Sequence, residues 1–203
     1  MPANVVAVPK APSLPVGDVG NQTILGRGRY VELVEENGWE FVRRHASTGV
    51  VVILAITSDG GLVLVEQPRR PIHGYSIELP AGLVGDVAGS EDESLQIAAE
   101  RELEEETGFR AARWTKLLDA PSTAGLSSEI VTIFRASGLE RVGQGGGDAS
   151  EEITVHVIPI AQVPAFLAQK IAAGVAIDPK VFAGLYFLDS DWPPADIANM
   201  ATP

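Results

Sequence analysis

Residues 101–109 have the sequence RELEEETGF, in which the glutamates Glu102, Glu105 and Glu106 stand three and four positions apart. On a helix this spacing brings their side chains together, with Cβ atoms about 5–6 Å apart. Crowded carboxylates suit a hard cation such as Mg²⁺ or Mn²⁺, but most glutamate runs are simply solvated helix faces. The spacing alone leaves both interpretations open.

The residues around this stretch predict one helix from about Glu91 to Glu106. Ser90 and Glu93 have the spacing of a capping box, and Gly108 supplies a glycine stop. Five apolar residues would cover one side of the helix: Leu95, Ile97, Ala98, Ala99 and Leu103. Arg101 lies four residues before Glu105, so part of the negative charge can be neutralised within the helix.

The rest of the chain predicts strands before this helix and a mixture of strands and helices after it. The apolar and turn patterns indicate hairpins at residues 29–43 and 49–66, strands at 130–136 and 153–160, and helices at 163–173 and 180–188. A glycine-rich stretch at residues 142–150 is expected to be a flexible loop. We therefore expect an α+β fold, an α/β/α sandwich with a mixed sheet between helices.

The composition of the chain excludes several classes of function. The 203 residues include 27 Asp and Glu against 15 Lys and Arg, a formal net charge of -12, and no cysteine. Thiolate metal sites and disulfides are thereby excluded, and a nucleic-acid partner is not expected because clustered basic residues are lacking. No apolar run reaches the roughly twenty residues of a membrane span, and no secretory signal is evident, so a cytoplasmic protein without a membrane partner is expected.

Residues 101–109 match, at every defined position, the core of the Nudix box, Arg-Glu-apolar-x-Glu-Glu-x-Gly-apolar. Glu93 lies eight residues before Arg101, as that box requires, and residues 78–83 (ELPAGL) resemble the ADP-ribose pyrophosphatase branch. The chain thus resembles Nudix hydrolases of that branch. The glycine that the box places six residues before Glu93 is replaced by Val87, which predicts a five-residue insertion within residues 85–92.

The resemblance implies hydrolysis of a nucleoside diphosphate linked to another moiety, with Mg²⁺, or Mn²⁺, as the cofactor. Glu102 and Glu106 would be the principal metal ligands, together with the backbone carbonyl of Ala81. Glu105 would be a further ligand or would hold a metal-bound water. The resemblance also implies an ion pair between Arg101 and Glu93 that orients the helix.

An acidic segment before a late strand supplies a general base, or a further metal ligand, in this branch. Residues 148–153 (DASEEI) occupy that place. Glu151 is the first choice for this role and Glu152 the second. Both residues could equally be solvated loop charges.

The resemblance also implies residues for the substrate. Arg69, in the EQPRR stretch of residues 66–70, matches an arginine that meets the phosphates, and Arg43 and Arg44 resemble an arginine pair that approaches the nucleotide. Glu129 matches a glutamate that reaches the terminal ribose. Trp39 could stack on a base or be buried against a neighbouring subunit.

The leading expectation is hydrolysis of ADP-ribose to AMP and ribose 5-phosphate. The alternatives are another nucleoside-diphosphate sugar such as GDP-mannose, or a Nudix-fold sensor that binds a nucleotide without cleaving it. Residues 1–18 predict a flexible tail, residues 19–48 a β-unit and residues 49–203 the main domain. Because the β-unit is too small to bury its own apolar face, a homodimer is expected.

Overall fold

The computed structural model describes residues 21–45, 47–86, 89, 91–147, 151–189 and 192. The tail predicted at residues 1–18 lies outside the described residues, and so does Ser90 of the predicted capping box. Within the described ranges the chain forms eleven strands, three α-helices and two single-turn 3-10 helices. No helix in these ranges is long and apolar enough to cross a membrane.

The strands are β1 (Gln22–Arg27), β2 (Val31–Glu36), β3 (Trp39–Arg44), β4 (Gly49–Ile56), β5 (Gly61–Arg69), β6 (Gly74–Glu78), β7 (Ala81–Val84), β8 (Phe109–Pro121), β9 (Ile130–Arg141), β10 (Thr154–Pro159) and β11 (Ala176–Ile177). The helices are α1 (Leu95–Thr107), α2 (Val163–Ala172) and α3 (Pro179–Asp189).

Strands β1, β2 and β3 form a separate antiparallel sheet. The turn between β2 and β3 has positive φ at both central residues, 52° at Asn37 and 84° at Gly38. An Asn-Gly pair adopts this turn readily, so the predicted hairpin follows from the sequence. Backbone hydrogen bonds of Val42 in β3, with Leu126 and Ser128, attach this small sheet to the loop before β9.

The remaining strands form a mixed sheet in the order β11-β6-β5-β4-β9-β8, with β7 paired to β4 and β10 paired to β5. Strand β4 runs parallel to β9, and β11 runs parallel to β6. The other pairs are antiparallel. This arrangement places β7 and the loop that precedes it beside the centre of the sheet.

Strand β4 is apolar on both faces because helices cover both sides of the sheet. Val51, Ile53 and Ala55 pack in one cluster with residues of α1. Val52 and Leu54, which point the other way, pack in a second cluster with residues of α2 and α3. The predicted α+β class, with an α/β/α sandwich, is confirmed.

The start of α1 corrects the sequence prediction. The helix begins at Leu95 rather than Glu91, and its cap is Ser94, whose Oγ accepts a hydrogen bond from the Ile97 N–H. Glu93 is not part of a capping box, since its carboxylate accepts a hydrogen bond from the Gly85 N–H at 3.0 Å. Ile97 is 56% exposed, so it does not belong to the apolar side.

Candidate functional site

The carboxylates of α1 lie against strand β7, which packs on the N-terminal half of β4. The Ala81 N–H donates a hydrogen bond to Oε2 of Glu106 at 3.0 Å. At Gly82 the backbone passes so close to Glu102 that a Cβ there would lie 1.9 Å from the carboxyl carbon. Any larger residue at position 82 would displace the Glu102 carboxylate from the place that it has here.

Burial makes the charge on these two carboxylates costly. Glu106 is only 3% exposed, and its burial raises its pKa well above the usual value despite the Ala81 N–H. The negative charges of Glu102 and Glu151 raise the pKa of Glu106 further. Burial likewise raises the pKa of Glu102 to about 7, against the lowering effect of Arg101. A bound divalent cation would offset the cost of both charges.

Arg101 connects the helix to the segment before it. Its Nη2 donates to Glu93 Oε1 at 3.0 Å and to the Leu83 carbonyl at 3.1 Å. Its Nη1 donates both to Glu102 Oε1, at 2.8 Å, and to Glu105 Oε2, at 3.1 Å. The ion pair implied by the resemblance, between Arg101 and Glu93, is therefore present.

Glu105 differs from the other two glutamates in its surroundings. Its side chain is 53% exposed and is held towards Arg101. Across the described ranges, no three acidic or histidine side chains form a ready-made metal cluster. The donor set instead fits a cation such as Mg²⁺, which binds through one or two carboxylates and keeps open positions for water and phosphate.

The glycine-rich segment after β9 lies across the end of α1. The Gly146 N–H donates to the Glu106 carbonyl at 2.8 Å, and the Gly147 N–H donates to the Glu105 carbonyl at 3.0 Å. Residues 142–147 form neither a helix nor a strand, in agreement with the predicted loop, and these hydrogen bonds attach that loop to α1; residues 148–150 lie outside the described part. Gly147 has φ +77°, and a Cβ there would lie 2.2 Å from Oε2 of Glu151.

The two neighbouring acidic candidates separate in the structure. Glu151 lies close enough to Glu106 to raise its pKa. Glu152 turns elsewhere, and its Oε1 accepts a hydrogen bond from the Tyr75 hydroxyl at 2.7 Å. The Glu151 carboxylate therefore lies beside Gly147 at the end of α1, whereas the Glu152 carboxylate faces Tyr75.

Arg69 lies within electrostatic range of Glu106. Its Nε and Nη2 donate to the two carboxylate oxygens of Glu78, at 2.7 and 2.6 Å. This hydrogen bonding with Glu78 raises the pKa of Arg69, and the charge of Glu106 adds a smaller increase. Arg69 also lines a cavity of about 410 Å³ together with Arg70, His73, Tyr75 and Glu152, among others.

The two candidate arginines of β3 point to different partners, as successive residues of a strand do. Arg44 donates to Glu129 at 3.1 Å, and both residues line a cavity of about 170 Å³ that also contains Ser47, Thr48 and Ser128. Arg43 instead donates to Glu32, which is 3% exposed, and to Gln22. Arg43 is therefore engaged within the small sheet.

Trp39 lies on β3 near the turn and is 68% exposed. Successive β3 residues alternate, so Trp39 shares a face with Phe41 and Arg43 rather than with Arg44. Within one chain, the structure does not join Trp39 to the cavity of Arg44 and Glu129.

Two contributors to the site were missed in the sequence. Tyr75 had no motif to mark it, because its partner Glu152 is 77 residues away in the chain. The glycines at residues 145–147 do not by themselves distinguish a flexible loop from a fixed backbone path. All three have positive φ, which shows that glycine is required there by the backbone path over α1.

Known proteins are similar to this chain in sequence and in fold. The NUDIX domain family matches residues 45–178. An ADP-ribose pyrophosphatase of Mycobacterium tuberculosis is 35% identical over 138 residues, which are 68% of this chain and 63% of that protein. The match thus spans slightly less than two thirds of that relative's length.

Two further similarities extend over much of the chain. A GDP-mannose pyrophosphatase of Cronobacter sakazakii is 28% identical over 140 residues, which are 65% of this chain and 68% of that protein. The crystal structure of an ADP compounds hydrolase has a TM-score of 0.59 and 25% sequence identity. That similarity covers 74% of this chain and 82% of the solved chain.

Proposed function

This chain belongs to the NUDIX domain family, and from that premise we propose that it hydrolyses the diphosphate bond of a nucleoside-diphosphate sugar with Mg²⁺. Mn²⁺ is the alternative cation. The observation that carries the proposal is the pair of buried carboxylates, Glu102 and Glu106, held against β7 with raised pKa values. Two buried acids without a cation are costly to fold, whereas with a cation they form a site for phosphate chemistry.

In this proposal Glu102 and Glu106 hold the cation together with the Ala81 backbone carbonyl. Glu105, which is more exposed, would be a further ligand or would hold a metal-bound water. When bound, the cation supplies charge stabilisation for the phosphoryl group and lowers the pKa of attacking water. Arg101 positions the helix through Glu93 and keeps Glu102 and Glu105 in place between turnovers.

Glu151 is the proposed general base, accepting the proton of the attacking water at its carboxylate. Its carboxylate lies against Gly147, which is bonded to the Glu105 carbonyl, and its charge raises the pKa of Glu106; both observations support this role. The hydrogen bond of Glu152 with Tyr75 favours Glu151 over Glu152.

The substrate would lie between the acidic site and the arginines that border it. Arg69 has the planar donors for bidentate phosphate binding, and it would exchange part of its bonding with Glu78 for the substrate. Arg44 and Glu129, with the hydroxyls that line their cavity, suit a ribose and its phosphate. Arg43 and Trp39 would act on the base from the small sheet of a second copy.

ADP-ribose, giving AMP and ribose 5-phosphate, is the proposed substrate because the named relative in Mycobacterium tuberculosis is an ADP-ribose pyrophosphatase. GDP-mannose is the second candidate because the relative in Cronobacter sakazakii is a GDP-mannose pyrophosphatase. The reacting groups would be the same for both. The choice depends on the contacts to the base and the sugar.

A panel of nucleotide sugars tests this proposal. With Mg²⁺, we expect the purified chain to release a nucleoside monophosphate, with the highest kcat/KM on ADP-ribose and a lower value on GDP-mannose. A higher kcat/KM on GDP-mannose would reverse the assignment of the substrate. Absence of turnover on every member would contradict the enzyme and favour the nucleotide sensor.

We also propose a homodimer formed through the N-terminal unit, residues 19–48, with residues 49–203 as the hydrolase domain. The small sheet exposes large apolar side chains that water does not favour: Ile24, Leu25, Leu33 and Trp39. Sedimentation at micromolar concentration should give the mass of two chains. Sedimentation as one chain of 21.4 kDa would contradict this proposal.

A further inference from the structure

Glu151 and Glu152 are adjacent, yet their carboxylates have different neighbours. The Glu151 carboxylate lies against Gly147, which is bonded to the Glu105 carbonyl at the end of α1, and the Glu152 carboxylate is bonded to Tyr75. We propose that Tyr75 is a positioning residue, which fixes Glu152 through its hydroxyl and thereby holds Glu151 at the end of α1 that carries Glu105 and Glu106. This inference rests on the proposed function, since it assigns Glu151 to the reaction. It gives Glu152 the role of an anchor rather than that of a base.

Tyr75 is well placed to act as a fixed point. It lies on β6, where it pairs with Pro68 of β5, three residues before the buried Glu78. Strand β10 begins at Thr154, two residues after Glu152, and pairs with Glu66 of the same β5. The bond from Tyr75 to Glu152 therefore ties the segment before β10 to a strand on the other side of β5.

The segment that carries Glu151 has a second fixed point on its N-terminal side. The Gly147 N–H is bonded to the Glu105 carbonyl at the end of α1. Glu151 thus lies between an attachment to α1 at Gly147 and an attachment to β6 at Glu152. Without the bond from Tyr75, Glu151 would be held on this side only through β10, which begins three residues later at Thr154.

The chemistry of the contact suits an anchor. At 2.7 Å, a phenol hydroxyl donating to a carboxylate is a charge-assisted hydrogen bond, stronger than one between neutral groups. The same contact with Glu152 raises the pKa of Tyr75, so the hydroxyl keeps its proton and remains a donor at neutral pH. Without the hydroxyl, an exposed carboxylate would be solvated and free to take other rotamers.

Steady-state kinetics on ADP-ribose with Mg²⁺ test this inference. Tyr75→Phe and Glu152→Ala should each lower kcat by about tenfold to a hundredfold, since displacement of a reacting group by about 1 Å has an effect of that order. KM should change little. Glu152→Gln keeps an acceptor for the Tyr75 hydroxyl, so it should retain most of the turnover. If Glu152 were the general base, its replacement by glutamine would abolish most of the turnover.

A second set of variants tests whether Tyr75 acts on kcat through Glu151. Once Glu151→Gln has removed the proposed base, adding Tyr75→Phe should cause no further fall in kcat. Tyr186→Phe is the matched control, because Tyr186 lies on the exposed face of α3 and should leave kcat unchanged. Unchanged kcat in Tyr75→Phe, or a full additional loss in the Glu151→Gln background, would overturn the inference.

A readout without turnover separates this inference from the proposed function. In an absorbance titration of the tyrosines, the ionisation of Tyr75 is the one that is missing in Tyr75→Phe. In Glu152→Ala this ionisation should occur at lower pH than in wild type. If the wild-type chain is inactive but this shift occurs, the proposed function is contradicted and the contact between Tyr75 and Glu152 is not. An identical titration in wild type and Glu152→Ala would overturn the anchoring contact itself.

Discussion

Glu106→Gln should lower kcat on ADP-ribose by about a thousandfold, because several kcal/mol of charge stabilisation by the cation is lost and each 1.36 kcal/mol is tenfold in rate. Glutamine has nearly the same shape and can still accept the hydrogen bond from the Ala81 N–H. Its neutral amide, however, is a poor ligand for a hard cation. Steady-state assays across a range of Mg²⁺ concentrations would measure the loss.

The same variant should keep its fold. A carboxyl group whose pKa is higher in the folded chain destabilises that chain above the raised pKa, and this penalty disappears below the unfolded value of about 4.5. At pH 8 without metal, the melting temperature of Glu106→Gln should therefore equal or exceed that of wild type. Addition of Mg²⁺ should raise the melting temperature of wild type only.

Glu100→Gln is the matched control, because Glu100 is an exposed residue of the same helix, hydrogen-bonded to Gln96. It should leave both kcat and the response to Mg²⁺ unchanged. If Glu106→Gln retained full turnover, the buried carboxylates could not be the metal site. Nucleotide binding without turnover in the wild type would instead support a sensor.

Arg101→Met should reduce the free energy of unfolding by about 3–5 kcal/mol, the usual cost of leaving a buried charge without its partner. Arg101 is 19% exposed, and its partners Glu93 and Glu102 are 6% and 12% exposed. Methionine fills much of the space but removes the guanidinium from Glu102, from the Leu83 carbonyl and from Glu93, which keeps only the Gly85 N–H. Urea unfolding of the metal-free chain at neutral pH would measure the change.

Arg110→Met provides the comparison. Arg110 also pairs with a glutamate of α1, Glu104, but the two side chains are 64% and 43% exposed. An exposed pair of this kind contributes about 0–1 kcal/mol, so the control should unfold almost like wild type. Equal losses in the two variants would show that Arg101 does not hold the helix.

The geometry of the α1 glutamates and of Arg101 was predictable from the sequence because it depends on local spacing, whereas their proposed chemistry came from the resemblance to the Nudix box. Glu102 and Glu106 are one helical turn apart, and Arg101 reaches Glu93 within the same short segment. The exact start of α1 was not readable, since both Ser90 and Ser94 are suitable caps. In the structure Ser94 is the cap, and Glu93 accepts hydrogen bonds from Arg101 and from the Gly85 N–H, contacts that the sequence does not reveal.

Other parts of the fold and site depended on contacts distant in the sequence. Strand β8 was missed because it is an edge strand with mixed charges and no clean alternation, yet it pairs with β9 along most of its length. Arg43 and Arg44 could not be distinguished until Glu32 and Glu129 were placed beside them. Tyr75 and Glu152 meet only through the pairing of β6 and β10 with β5.

The most direct test of the account is the fate of ADP-ribose in the presence of the purified wild-type chain and Mg²⁺. We expect AMP and ribose 5-phosphate in equal amounts, with formation stopping on addition of a chelator and resuming when Mg²⁺ is restored. Cleavage that continues at the same rate in excess chelator would contradict a mechanism in which Glu102 and Glu106 act through a bound cation.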